Sequence, residues 1–438
     1  MYISMSDRHG GKEDTAESVV TRADRPAPRF RLSPVILWLG VVSMATDISS
    51  ESVAAVLPLY ITGFLGLSVI AFGIIDGINQ GASALVRIAA GWASDRLGRP
   101  KPVALAGYGL SMFARVGFLF AGAFWSLAAV VTGDRIGKGI RTAPRDALIS
   151  TAAQPEYLAR HFGVHRMLDN IGAAAGPLIA FVILFLIPGG YGTVFVVSLA
   201  FAAIGVAALA LVVPDQRSGR SPRSSIRGQE VDNHVRGGGG RARIHWHLFR
   251  EPGLGRLLTA SALLGLLTVG DGFIYLVLQD RDDFAVHWFP LLYVGTNVVF
   301  LLLAIPMGRL ADRYGRGKVF LAGHLALLAC YCCAAVPLGG LGPTLLCLTL
   351  LGAFYAATDG VLAAFASQLT PPDLLATGIG TVQTVAALSR VVSSTLFGLL
   401  WFTWGPAAAM VVVGGLLAVA LPASFVVLRK AERQAALA

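Results

Sequence analysis

Runs of about twenty predominantly apolar residues recur along this chain twelve times, and that spacing decides what it can fold into. The runs lie at 34–62, 67–92, 102–121, 125–149, 163–187, 193–213, 253–279, 289–309, 319–337, 344–368, 375–402 and 407–428. A helix rising 1.5 Å per residue needs roughly 20 apolar residues to cross about 30 Å of hydrocarbon. Inside hydrocarbon every backbone N–H and C=O must find its partner within the protein, which an α-helix achieves within one segment. Hydrophobic residues make up 55% of the chain and charged ones 14%, well below the roughly one-quarter charged fraction of soluble domains. The expected fold is an all-α membrane protein of twelve transmembrane helices.

Two polar knots interrupt these runs at equivalent places. GWASDRLGRPK occupies 91–101 and GRLADRYGRGK occupies 308–318, 217 positions further on in a chain of 438 residues. Gly91, Asp95, Arg96, Gly98, Arg99 and Lys101 align with Gly308, Asp312, Arg313, Gly315, Arg316 and Lys318. A polar motif repeated at half the chain length predicts two homologous helix bundles joined in tandem, 34–213 and 253–428.

The basic residues set the expected topology. Six Lys/Arg precede Ser33, nine fall between Arg217 and Arg256, seven lie in the knots, and Arg429, Lys430 and Arg433 close the chain. The alternate connections carry none, apart from Arg281 among Asp280, Asp282 and Asp283. The positive-inside rule then places both termini and both knots in the cytoplasm, in a multi-pass protein of the cell membrane. The net charge of +10 reflects this topology and contact with an anionic leaflet, and calls for no nucleic-acid partner. Residues 1–33 and 429–438 read as cytoplasmic tails, the first one disordered; 1–33 also lacks the pattern of a cleaved signal peptide. Residues 214–252, rich in Ser, Gly, Pro and Arg, read as a flexible basic linker, with a short surface helix at 244–250. Cys330, Cys332, Cys333 and Cys347 sit in apolar runs without neighbouring His or carboxylate, so they read as small apolar residues, with no metal or cofactor expected.

Six plus six helices, a basic central loop and a duplicated G-x-x-x-D-R-x-G-R-x-K knot resemble the major facilitator superfamily of secondary transporters, over residues 34–428. Arg135 to Gly139 is similar to that family's Arg-x-x-x-Gly motif. Gly172, Gly176 and Pro177 are similar to the core of its antiporter motif, although Ile179 and Ala180 stand where a Gly pair is usual. The resemblance implies two pseudo-symmetric six-helix bundles around a central cavity lined by helices 1, 4, 7 and 10. It also implies that the knots are conformational gates, whose Asp docks against the opposite half when the inside closes. The helix-5 glycines read as close-packing sites at a rocking interface between the halves.

Charge within a span costs roughly 3 kcal/mol at mid-helix on insertion scales, so each buried ionisable residue is a functional candidate. Helices 6, 9 and 12 hold no Asp, Glu, Lys or Arg, and helices 1, 4, 7 and 10 hold most of the charge. Asp47 and Glu51 of helix 1 lie one turn apart on one face, a natural place to hold a proton and release it when a cation approaches. Asp134, Arg135 and Lys138 sit on helix 4 above Arg141 and Arg145, which read as anchors near the first knot. Asp76 shares a face of helix 2 with Asn79 and Gln80. Asp271 and Asp359 each precede a Gly within an apolar run, as suits a helix that bends or admits a ligand. Arg390 reads as a neutralising partner for one of them, and Arg115 as a side chain that snorkels outward.

These features predict a secondary transporter working by alternating access, with export of a small organic or drug-like molecule coupled to proton entry. The candidate cavity residues are Asp47, Glu51, Asp76, Asp134, Arg135, Lys138, Asp271 and Asp359; the expected partners are a small-molecule substrate, protons and the bilayer, for a monomeric chain. Uptake of an anionic or polar metabolite is the alternative, favoured by the basic band of helix 4. A receptor or an intramembrane enzyme is the remote one: the chain has no HExxH, GxSxG or P-loop pattern.

Overall fold

In the computed structural model, which describes residues 32–97, 99–154, 158–215, 252–370 and 375–435, the described residues are mostly helical, with no strand among them. Twelve spans appear in order: α1 (Pro34–Leu59, continued by a π-helical turn, Tyr60–Phe64), α2 (Val69–Leu97), α3 (Pro100–Phe118), α4 (Phe124–Ala152), α5 (Leu158–Leu186), α6 (Tyr191–Leu211), α7a (Pro252–Leu266) with α7b (Asp271–Asp282), α8 (Phe289–Tyr314), α9 (Arg316–Ala335), α10 (Leu341–Gln368), α11 (Leu375–Trp404) and α12 (Pro406–Ala435). Eight of these, α5 to α12, are long and apolar enough by themselves to cross a membrane. Prolines in the first turn of α1, α3 and α8 occupy the helix position where a missing N–H costs nothing. The tail 1–31, linker residues 216–251 with the expected helix at 244–250, and Gly98 lie outside the described residues.

The seventh span is where the expected course fails. One continuous helix over 253–279 was the expectation; instead it breaks between α7a and α7b, just ahead of Asp271. A break exposes backbone groups that hydrocarbon cannot satisfy. Tyr331 of α9 repairs it: its hydroxyl accepts from the Val269 N–H at 2.7 Å and donates to the Leu267 carbonyl at 3.0 Å.

The halves α1–α6 and α7–α12 meet chiefly through α2 against α11 and α5 against α8. The first of these contacts is close because of glycine: a Cβ on Gly73 would stand 2.6 Å from the Ser394 carbonyl oxygen. Gly172 and Gly176 of α5 work differently from expectation. A Cβ on either would strike the α1 backbone at Met44 or Ser52, so they bring α5 onto α1 within the first half rather than between the halves.

The ends of the bundle are distinct. The second knot lies beside the end of α12, where the Gly317 N–H donates to Glu432 at 2.7 Å, and Lys101 of the first knot reaches the Val213 carbonyl after α6. This end is called the knot face below. At the opposite face, Phe181 and Phe185 of α5 pack on His287 and Trp288 before α8, with ring centroids 5.3–6.1 Å apart. Phe273 of α7b fills the space between Phe72 of α2 and Phe397 of α11. These aromatic contacts close that face between the halves.

Candidate functional site

Helices from both halves bring three of the sequence-predicted carboxylates into one chamber. Glu51 (α1), Asp76 (α2) and Asp271 (first residue of α7b) line a cavity of about 210 Å³ with Asn79, Gln80, Tyr293, Asn297 and Tyr355. Asp271 accepts a hydrogen bond from Tyr355 of α10. Asp76 accepts from Ser394 of α11 at 2.7 Å and from Gln80 at 3.4 Å. It also presses on the break in α7, where a Cβ at Gly270 would lie 2.2 Å from its Oδ2. The start of α7b therefore has two carboxylates at the helix end that attracts negative charge.

Gln80 also lines a larger cavity, of about 600 Å³, which runs from the chamber to the knot face. Its walls include Arg166 of α5, Asp359 of α10, Gln383 and Arg390 of α11, and Gly308, Asp312 and Arg316 of the second knot. Among the described residues Asp359 forms no hydrogen bond or ion pair within 4 Å; Arg390 lies over the Tyr355 ring at 6.0 Å and is attracted to Asp359 and Asp271 at longer range. Charges of both signs, none of them closed into a direct ion pair among the described residues, in a roomy space suit a polar ligand.

The remaining candidates form an ion network inside the first half. Asp134 is 4% exposed, held at 2.9 Å by Arg115 and at 2.9 Å by Arg135. Arg115 also donates to Ser49 of α1 at 3.1 Å. The expectation that Arg115 snorkels outward is wrong: it is 2% exposed, because a carboxylate on the neighbouring helix satisfies its guanidinium better than a reach to the interface. Asp47 faces Arg141 at 3.9 Å and Glu51 faces Lys138 at 4.0 Å. Arg145 ties α4 to α5 through Asp169 at 3.8 Å and to α1 through Ser43 at 3.1 Å. Among the described residues, Glu51 alone belongs to both this network and the chamber.

At the second knot, Gly315 has φ +105°, a conformation that favours glycine, and turns α8 into α9. Arg316 donates to the Ala364 carbonyl of α10 and pairs with Asp312 at 3.5 Å. Asp312 is 71% exposed and, among the described residues, forms no hydrogen bond or ion pair with the first half. Arg313 lies over the Tyr314 ring at 5.4 Å. The first knot is visible only in part: α2 runs through Gly91, Asp95 and Arg96, Arg99 is exposed, and Gly98 lies outside the described residues.

Comparison with known proteins decides the family. The model of the Major Facilitator Superfamily matches residues 37–296 and 282–437. This chain belongs to the major facilitator superfamily. An uncharacterized MFS-type transporter of Methanocaldococcus jannaschii is 27% identical over 376 residues, covering 84% of this chain and 89% of the relative. An uncharacterized protein of Mycobacterium tuberculosis is 30% identical over 322 residues, covering 73% of this chain and 75% of its own. Among solved structures, a mutant of the nucleoside transporter NupG superposes with a TM-score of 0.75 at 14% identity, covering 90% of this chain and 99% of that one. A POT family transporter in complex with 5-aminolevulinic acid superposes with a TM-score of 0.74 at 13% identity, covering 91% and 97%. These likenesses carry the fold.

As an MFS transporter the protein is a multi-pass membrane protein of a non-enzymatic class. Its two six-helix halves bracket the chamber and the larger cavity beside it, the vestibule, as the fold requires. Sequence reasoning missed Tyr355, Tyr293, Asn297 and Ser394. Tyr355 carried a usable signal, since it precedes Asp359 by one helical turn on α10.

Proposed function

We propose that this MFS protein is a secondary transporter that works by alternating access, exporting a small polar organic molecule in exchange for protons. The observation that carries this reading is the gathering of Glu51, Asp76 and Asp271 from three helices of two halves into one chamber adjoining a vestibule with charges of both signs. Carboxylates in such a place exchange protons as their partners change. Glu51 is the prime candidate, because it lines the chamber and also faces the ammonium of Lys138 at 4.0 Å. Asp76 touches α7 and α11 of the other half, so its occupancy by a proton bears on how the halves meet. Arg166, Asp359 and Arg390 are assigned to cargo. Asp47, Asp134 and Arg135 are assigned to holding α1, α3 and α4 together beside the chamber.

In this reading the knot face and both termini lie on the cytoplasmic side of the cell membrane, the chain acts as a monomer, and residues 214–252 link bundles 34–213 and 253–428. The vestibule then stands open to the cytoplasm, where an exported cargo loads. Everted membrane vesicles energised by an imposed pH gradient test the direction. Cargo accumulation inside them, abolished by dissipating the gradient, supports export; import without any proton-driven efflux overturns it. The charged pair Arg166 and Arg390 favours one second reading, uptake of an anionic solute, which the same vesicles distinguish.

A further inference from the structure

A second cavity of about 300 Å³ opens at the knot face between α9 and α12, away from the vestibule. It is lined by Gly317, Lys318, Leu321, Phe425, Leu428, Arg429 and Glu432. Lys318 and Arg429 are exposed and make no hydrogen bond or ion pair among the described residues. Glu432 is already engaged, since its Oε1 accepts from the Gly317 N–H at 2.7 Å. The cavity thus offers two unspent cations against one occupied carboxylate.

Leu321 and Phe425 also begin an apolar groove of about 460 Å³ that continues along the same two helices past Leu325, Leu328, Leu421 and Pro422. Leu321, Leu325 and Leu328 lie on one face of α9, and seven residues of helix carry the groove about 10 Å from the charged rim toward the bilayer centre. Leu325, Phe425 and Val426 are 55%, 44% and 52% exposed, so the groove faces outward from the bundle. A basic rim at the membrane surface continuous with an apolar trough below it matches a phosphodiester head group with an acyl chain beneath.

We infer that the α9–α12 face is a binding site for an anionic phospholipid, with the phosphate between Lys318 and Arg429 and one acyl chain along Leu321, Leu325 and Leu328. The site lies outside the transport pathway and stands whether or not the transport reading does. With the excess of one positive charge at the rim, a singly charged phosphodiester fits best.

The test is native mass spectrometry of the purified full-length protein, titrated with phosphatidylglycerol, with phosphatidylcholine and with inorganic phosphate. Wild type is expected to retain phosphatidylglycerol in preference to phosphatidylcholine. Lys318→Gln with Arg429→Gln is expected to lower that retention roughly thirtyfold, the combined worth of two basic contacts at an anionic surface. Leu325→Trp, which fills the groove and leaves the rim charged, is expected to lower it as well. Both sites are exposed, so the variants keep the fold, which their melting curves check. Equal retention of both lipids, or unchanged retention in the double variant, overturns the proposal. Protection by inorganic phosphate equal to that by the lipid also overturns it, because the site then reads an ion and not a lipid.

Discussion

The Ser394 hydroxyl donates a 2.7 Å hydrogen bond to Asp76 across the boundary between the two halves. It does so beside the glycine contact that lets α2 and α11 touch. The bond therefore belongs to the state in which the opposite face is shut, and it breaks when the halves part. Ser394→Ala leaves Asp76 with Gln80 at 3.4 Å. A net contribution of about 1 kcal/mol for such a bond predicts a roughly fivefold rise in the population open on the opposite face. Spin labels at Leu186 and Val286, placed in a cysteine-free background, measure it as growth of a longer-distance component. An unchanged distance distribution would show that this bond does not hold the face closed.

Glu51 and Asp47 are one turn apart and read alike in sequence, yet they stand in different places. Asp47 faces Arg141 at 3.9 Å, whereas Glu51 faces Lys138 at 4.0 Å and also lines the chamber. Glu51→Gln is expected to abolish proton-linked transport while the protein still reaches the membrane. Asp47→Asn is expected to lower transport less and to lower the melting temperature more, since it strips a partner from Arg141, which is buried. Flux and thermal melts on the two variants separate the roles. Normal proton-coupled flux in Glu51→Gln removes that residue from the coupling.

How much of this was legible in the sequence follows from what each signal depends on. Span number and order came from apolar length, which a bilayer enforces residue by residue. The duplicated knots came from spacing, which folding preserves. The break before Asp271 was legible only as a hint in Asp271–Gly272, because the group that stabilises it, the Tyr331 hydroxyl, comes from α9. Arg115 was misread for the same reason: its carboxylate partner lies on another helix, 19 positions away. Glu51, Asp76 and Asp271 were each suspected, but no periodicity joins α1, α2 and α7b. Pairings across helices are set by packing, and the chain's own order does not encode them locally.

Asp134 offers a direct test of structural burial against function. Its carboxylate pairs with both Arg115 and Arg135 at 2.9 Å each. Removing one member of a buried ion pair leaves an uncompensated charge and costs about 3–5 kcal/mol. Asp134→Asn is therefore expected to lower the melting temperature and the yield of folded protein. Replacing all three members, as in Arg115→Met and Arg135→Met with Asp134→Leu, is expected to recover much of that loss. A single variant with wild-type stability and no transport would instead place Asp134 in the cargo or proton pathway.

Arg166 and Arg390 approach the vestibule from different halves, α5 and α11, so a cargo with an anionic group that touches both is held between parts that must move relative to each other. A charge-assisted hydrogen bond contributes about 1.5–3 kcal/mol, which predicts a KM at least tenfold higher for Arg166→Gln or Arg390→Gln. A ligand screen by thermal shift on purified protein supplies the cargo, since anything that binds the folded state raises its apparent stability. With that cargo, the arginines contribute equally to ground and transition states if they only bind, and kcat stays near wild type. A fall in kcat with KM unchanged would mean that they act in the movement of the halves and not in recognition. Asp359→Asn, in the same vestibule, is expected to weaken cargo that carries a cationic group and to spare cargo that carries only an anionic one.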